Sequence, residues 1–92
     1  MAVQVQVTSM LQKHLNGQKS VLVEGKTVRE ALDNLERAYP GVRRLVLSED
    51  GGLHRFVNIF LNNEDVRFVG ELEAPLSDGD VIAIMPALAG SG

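Results

Sequence analysis

The N-terminal segment alternates valine with polar residues, which is the pattern of a half-buried β-strand. Val3, Val5 and Val7 lie on one side of this strand, and polar residues lie on the other. A second apolar stretch at residues 18–24 follows a turn signal at Asn16-Gly17, so the chain is predicted to open with two strands. A strand with one polar face is typical of a sheet that is covered on one side only.

The main helix is predicted to begin after Thr27 and to end before Pro40-Gly41. Thr27 and Glu30 form the T-x-x-E pattern of a capping box, in which both side chains accept hydrogen bonds from free amides at the helix start. Since proline disfavours helical geometry at the residue before it, the helix should be about twelve residues long. Apolar residues recur at helical spacing: Val28, Ala31, Leu32, Leu35 and Tyr39.

The C-terminal half predicts two more long strands, at residues 55–61 and 81–85. Between them we expect a turn at 62–65 and a short return strand at 66–68; a helical turn at 42–47 should pack under the sheet. This order of elements indicates an α+β domain whose first and last strands are parallel neighbours at the centre. The predicted fold is the ubiquitin-like β-grasp, a mixed four- to five-stranded sheet with one main helix on one face.

Alternation along the strands separates a core face of the sheet from an outer face. Phe56, Phe60 and Met85 are predicted to point away from the helix, and an exposed apolar patch of this kind is typical of an interaction site. The alternative is that residues 42–47 or the segment around Leu11 cover these side chains. The residues expected in the core are Val5, Leu32, Leu35, Val57, Ile59 and Ile84.

The end of the chain is rich in small residues and finishes in Gly90-Ser91-Gly92. We expect residues 1–86 to form the domain and residues 87–92 to form a flexible tail. Glycine has no Cβ, so a terminal glycine presents an unhindered carboxylate and passes through narrow channels. Gly92 therefore offers an unhindered carboxylate; the alternative is an inert end, because termini are frequently small and polar.

Composition narrows the classes of function. The 92 residues carry a net charge of −3, which argues against nucleic-acid binding. The chain has no cysteine, so disulfides, thiolate metal sites and a cysteine nucleophile are excluded. His14 and His54 lack the spacing of metal ligands, so no metal site is predicted. Because membrane-span and signal-peptide patterns are also missing, we expect a small soluble domain of the cytoplasm with no membrane partner.

Two stretches of the chain resemble the MoaD/ThiS family of ubiquitin-like sulfur carriers. Residues 53–68 are most similar to the CysO branch of that family, whose members deliver sulfur to cysteine synthesis. Residues 76–90 contain the Asp78-Gly79-Asp80 turn, the last strand and the sequence Pro86-Ala87-Leu88-Ala89-Gly90. The resemblance covers nearly the whole chain and implies a carrier protein that is not itself an enzyme.

The resemblance also implies a chemistry and a set of partners. Gly92 would be the reacting group, with Gly90 and Ser91 giving clearance in the tail. Its carboxylate would be adenylated by an ATP-dependent enzyme of the ubiquitin-activating type and then converted to a thiocarboxylate. ATP would be used by that enzyme, and the carrier would bind no cofactor. Phe56, Phe60, Met85 and Leu88 would contact the activating enzyme and the client, which is a cysteine synthase or the large subunit of molybdopterin synthase. A zinc-dependent peptidase is a further partner that the resemblance suggests.

One residue departs from the family pattern. Members usually end in Gly-Gly, whereas Ser91 stands here in the penultimate position and adds a Cβ and a hydroxyl. Three alternatives to a cysteine-pathway carrier stay open, and Ser91 is the reason for the last of them. They are the small subunit of molybdopterin synthase, a protein modifier that is joined to lysines, and a β-grasp binding module with an inert tail.

Overall fold

The computed structural model describes residues 2–86, apart from the side chain of Met10. Three single-turn 3₁₀ segments, Lys13–Leu15, Val66–Phe68 and Glu71–Glu73, join the longer elements of this region. The strands and α-helices, in chain order, are β1 (Ala2–Val7), α1 (Ser9–Gln12), β2 (Ser20–Glu24), α2 (Val28–Ala38), α3 (Arg43–Val46), β3 (Val57–Leu61), β4 (Glu64–Asp65) and β5 (Val81–Pro86).

The five strands form one mixed sheet in the order β2-β1-β5-β3-β4. Strands β1 and β5 are parallel, with Val5 opposite Ile82, and the other neighbouring pairs are antiparallel. The predicted central pairing of the first and last strands is therefore confirmed. The β-grasp fold is confirmed with it, since α2 is the one long helix in the described region.

Helix α2 begins at the predicted cap and is 11 residues long. The Thr27 hydroxyl accepts a hydrogen bond from the Glu30 N–H at 3.2 Å, as a capping box requires. The Glu30 carboxylate accepts from the Lys26 N–H at 3.0 Å, one residue before the expected donor. At the other end, the Tyr39 N–H donates to the Leu35 carbonyl at 2.8 Å, which completes the last turn.

The core lies between the apolar side of α2 and one face of the sheet. All six residues predicted for the core are buried, and the set extends to Leu11, Leu15, Val42 and Val46. Residues 9–15 and 42–47 thus supply core side chains, so neither segment covers the outer face of the sheet. The described part of the chain buries no polar or charged residue completely.

The short return strand was predicted at the wrong residues. The strand is Glu64–Asp65, and residues 66–68 instead form a 3₁₀ turn. The Asp65 carboxylate accepts a hydrogen bond from the Arg67 N–H at 2.9 Å, and this local bond favours the turn over a continued ladder. Strand β3 also starts later than predicted, at Val57, because the Val57 N–H donates to the His54 carbonyl within a turn.

Glycine is required where β2 meets α2. A Cβ built on Gly25 would lie 2.7 Å from the Ala31 backbone nitrogen, closer than real contacts allow. This close approach sets the position of the helix start against the sheet. Within residues 2–86, no helix is long and apolar enough to cross a membrane.

Candidate functional site

Strand β5 leads out of the centre of the sheet toward the C-terminal end of the chain. Its last residue, Pro86, lies opposite Val57, the first residue of β3. The reacting group predicted at Gly92, the clearance residues Gly90 and Ser91, and the predicted contact residue Leu88 lie outside the described residues. The structure therefore defines the position from which residues 87–92 depart, and the roles of those residues remain predictions.

The outer face of the sheet exposes the apolar residues that the alternation predicted. Phe56 is 50% exposed and Met85 is 43% exposed, whereas Phe60 is partly exposed. The strand register places Phe60 opposite Ala83, and Ala83 in turn opposite Gln6. The middle of this face is thus apolar or neutral, with no formal charge across three neighbouring strands. A neutral face beside the chain exit suits protein contact.

Phe56 lies in the turn just before β3, and its neighbours hold it in place. Its N–H donates to His54 Nδ1 at 3.1 Å. The His54 ring centroid lies 5.5 Å from that of Phe56, and the Arg55 guanidinium carbon lies 5.2 Å from the Phe56 ring centroid. Contacts of this kind stabilise the ring orientation. An aromatic side chain is therefore presented in a defined orientation next to the residue from which the tail departs.

Arg67 joins the start of β3 to the turn after β4. Its guanidinium donates to the Asn58 side-chain oxygen at 3.0 Å, to Asp65 at 3.2 Å and to the Val57 carbonyl at 3.4 Å. Asn58 lies opposite Met85, so this positive charge adjoins the apolar outer face. Sequence reasoning missed Arg67, because the return strand predicted at residues 66–68 hid its role as the closing residue of a turn.

Two exposed apolar residues lie outside the predicted contact set. Leu22 on β2 is 75% exposed, and Phe68 follows Arg67 in the 3₁₀ turn. Leu22 alternates with Val21 and Val23 along β2, and this pattern is sufficient to place it on the outer face. Phe68 could not be found in the same way, because the turn that contains it has no alternation.

Polar side chains fix the beginning of β5 at the opposite end of the sheet. Asn62 accepts a hydrogen bond from the Val81 N–H at 3.0 Å and donates to the Asp80 carboxylate at 3.1 Å. Asp80 also accepts from the Ser77 N–H at 2.7 Å. The Ser77 amide, followed by the Asn62 side chain, lowers the pKa of Asp80 below its ordinary value of 3.8. Asp78-Gly79-Asp80 is thus a structural turn that holds the central strand.

A cleft lies between the end of α2, α3 and residues 48–54. Glu36 at its rim accepts hydrogen bonds from the backbone N–H groups of Arg43 and Gly41, which lower its pKa. Asp50 is held by the Ser48 hydroxyl and the Gly52 N–H, and its pKa is likewise lowered. Both carboxylates thus accept hydrogen bonds from residues close to them in sequence, which stabilise these loops. Within the described residues, no group of three acidic or histidine side chains could hold a metal ion.

A β-grasp domain whose central C-terminal strand leads into a glycine-containing end belongs to the ubiquitin-like class of proteins. Comparison with known families makes this assignment more specific. The model of the ThiS family matches residues 5–90. The chain therefore belongs to the ThiS family.

Individual relatives agree with this assignment over nearly the full length. The chain is 45% identical to the sulfur carrier protein CysO of Mycobacterium tuberculosis, covering 98% of this chain and 99% of that protein. The crystal structure of M. tuberculosis CysO superimposes with a TM-score of 0.90 at 43% identity, covering 94% of this chain and 99% of that one. CysO in the BexX/CysO complex of Amycolatopsis orientalis gives the same TM-score at 44% identity, covering 96% and 98% of the two chains.

Proposed function

We propose that this protein is a sulfur carrier that donates sulfur for cysteine biosynthesis from a thiocarboxylate at Gly92. The observation that carries the proposal is the 45% identity to CysO over 98% of the chain. The protein would act as a co-substrate of other enzymes and not as a catalyst. It would work in the cytoplasm, where ATP is supplied for the activating step.

The chemistry requires activation because a carboxylate is a poor electrophile. An oxygen of the Gly92 carboxylate would attack the α-phosphorus of ATP, forming an acyl adenylate and releasing pyrophosphate. Hydrosulfide would then attack the acyl carbon, the bond to AMP would break, and a thiocarboxylate and a proton would remain. The carrier needs no cysteine for this chemistry, because the sulfur is acquired at its own C-terminus.

The carrier would present its end to an activating enzyme of the ubiquitin-activating type, which uses the ATP. We propose the outer face near Phe56, Phe60 and Met85 as the contact surface, with Leu88 entering the partner. Support comes from the exposure of Phe56 and Met85 near Pro86, where the described chain leaves the sheet, and from the partial exposure of Phe60 further along β3. The client would be a cysteine synthase, and a zinc-dependent peptidase would be a further partner.

Intact-mass measurement tests the carrier function. The protein is incubated with ATP, hydrosulfide and an activating enzyme of the ubiquitin-activating type. The expected product is heavier by the difference between one sulfur and one oxygen atom. The matched control lacks Gly92 and should gain far less sulfur. If neither the parent nor Ser91→Gly is converted by any activating enzyme, the tail is inert and the proposal is wrong.

A second candidate function is protein modification, in which the C-terminus is joined to lysine side chains of other proteins. It is favoured by 32% identity to Small archaeal modifier protein 3 of Haloferax volcanii over 80% of this chain and 83% of that protein. Both functions would begin with the same acyl adenylate, so activation alone does not separate them. Covalent conjugates of higher mass in cell extracts would favour the modifier, whereas a thiocarboxylate consumed by cysteine synthase would favour the carrier.

The small subunit of molybdopterin synthase would use the same thiocarboxylate with a different client. Competition separates the two clients. The thiocarboxylate form is mixed with cysteine synthase and with the large subunit of molybdopterin synthase, and the loss of sulfur mass is followed for each. Faster loss to the cysteine synthase is expected, and faster loss to the molybdopterin enzyme would assign the other pathway.

A further inference from the structure

Positively and negatively charged side chains are concentrated at opposite ends of the sheet. At the end where β5 reaches Pro86, the charged residues on a strand end or within two positions outside it are the cations Lys19, Arg55 and Arg67 and the anion Asp65. All three cations are exposed, and Arg67 is paired with Asp65 at 3.2 Å. This end, which we call the exit end, therefore carries an excess of positive charge close to the position where residues 87–92 depart.

The opposite end of the sheet is acidic. Four carboxylates occur there, on or just before the strand ends: Glu24, Glu64, Asp78 and Asp80. Lys26 is the cation that follows β2 at this end, and it is also exposed. The register brings two of them near each other, because Ala2 lies opposite Glu24 and the Ala2 N–H donates to Asp78 at 3.1 Å.

Because the molecule carries a net charge of −3, the separation of charge determines which end of it an acidic partner attracts. An acidic partner surface would repel the molecule as a whole and attract only its exit end. Local charges steer association most strongly when they lie close to the contact, and the effect weakens with salt. The apolar residues Phe56 and Met85 lie at the same end, so steering and apolar contact would act on one surface.

We infer that the exit end docks on a partner whose tail-receiving opening is rimmed by acidic side chains, and that Lys19, Arg55 and Arg67 orient the carrier with its tail forward. The inference rests on the proposed carrier function and adds the chemistry of the partner surface. The partner that binds the exit end presents a protein surface with negative charge around an apolar centre. Such a surface complements the cations placed around Phe56 and Met85.

Matched charge reversals test the orientation. Arg55→Glu and Lys26→Glu change the net charge equally, at the exit end and at the acidic end respectively. We expect Arg55→Glu to slow association with the activating enzyme about fivefold at low salt, and Lys26→Glu to have less than about a twofold effect. The difference should disappear at high salt. Equal slowing by both variants, or greater slowing by Lys26→Glu, would overturn the inference.

A second measurement does not depend on carrier activity. Isotope-labelled protein is titrated with hexaglutamate, and backbone amide shifts are followed by NMR. Shifts concentrated at Lys19, Arg55 and Arg67 are expected, and they should be lost when Arg55→Glu is combined with Lys19→Glu. Shifts centred on Lys26, or no localised shifts, would contradict the inference even if the protein proves to be a competent carrier. Conversely, localised shifts without adenylation would refute the carrier function alone.

Discussion

Asn58 lies directly opposite Met85 across the β3–β5 pair, and the next pair along joins Val57 to Pro86. The Arg67 guanidinium bonds both the Asn58 side chain and the Val57 carbonyl. One charged side chain thus fixes two residues of β3 that border the end of β5. The departure point of the tail is consequently held by tertiary contacts, so its position is set before any partner binds.

Met85 lies close to the departure point of the tail, so we expect its truncation to weaken partner binding without unfolding the domain. Met85→Ala should weaken binding to the activating enzyme about tenfold, because a partly exposed anchor side chain is removed. Leu22→Ala is the matched control, since Leu22 is also exposed but lies on the edge strand β2. Calorimetric titration measures both affinities. Unchanged affinity for Met85→Ala would exclude this surface from the contact.

Core packing predicts the largest effect on stability. Leu35 is completely buried in α2, so Leu35→Ala should lower the free energy of unfolding by about 2–5 kcal/mol. Leu22→Ala removes the same atoms from an exposed position and should change it by less than about 0.5 kcal/mol. Urea denaturation followed by circular dichroism checks both values. A loss below about 1 kcal/mol for Leu35→Ala would contradict the observed packing.

We expect protonation of Asp80 to account for part of the protein's loss of stability in acid. Its folded-state pKa lies below the ordinary value of 3.8, mainly because the Ser77 N–H and then Asn62 stabilise the carboxylate. The stabilisation is present above the unfolded pKa and is lost as the pH falls through the lower folded pKa. Asp80→Asn should therefore reduce stability at neutral pH, and its stability should fall less steeply than that of the parent below about pH 4.

The control for this pH dependence is Glu64→Gln, which removes an exposed carboxylate at the same end of the sheet. The curve of urea midpoint against pH, measured across the acid range, should keep nearly the same shape for this variant. An acid profile of Asp80→Asn that runs parallel to that of the parent would show that the hydrogen bonds to Asp80 do not contribute. Glu36, whose pKa is lowered by the backbone N–H groups of Arg43 and Gly41, should supply part of the acid dependence that remains.

The end of the chain predicts a steric effect on activation. Ser91→Gly should maintain or raise the rate of thiocarboxylate formation, because it removes a Cβ beside the reacting group. Deleting Gly92 should lower the rate steeply, since the serine carboxylate that remains is more hindered. Single-turnover kinetics with mass detection measure both rates. A slower Ser91→Gly would indicate that the serine hydroxyl contributes positively to activation.

The long elements could be predicted because their local patterns agree with their environment. Alternation at Val3, Val5 and Val7 and the cap at Thr27 determine burial and helix start through residues close in sequence. Residues 66–68 were predicted wrongly because a hydrogen bond from the Arg67 N–H to Asp65 forms a turn where β-propensity favours a strand. The helical turns at residues 9–15 were missed because they are stabilised by burial of Leu11 and Leu15, which depends on the assembled core.

The candidate site likewise has some features that local sequence patterns predict and others that depend on the assembled fold. Exposure of Phe56 and Met85 followed from alternation along the predicted strands at residues 55–61 and 81–85. The contact of Arg67 with Asn58 spans nine positions and depends on how two turns meet, so no local pattern reports it. The separation of charge between the ends of the sheet also requires the strand order, which places residues distant in sequence at a common end.

The central position of β5 has a mechanical consequence. This strand is bonded to β1 on one side and to β3 on the other, and the bonds run roughly perpendicular to its length. Traction applied beyond Pro86 would pull along the strand and load the bonds on both sides in shear, many at once. Peeling an edge strand would break them one after another at a lower force. A domain with this strand arrangement should resist unfolding when force is applied to its C-terminal end.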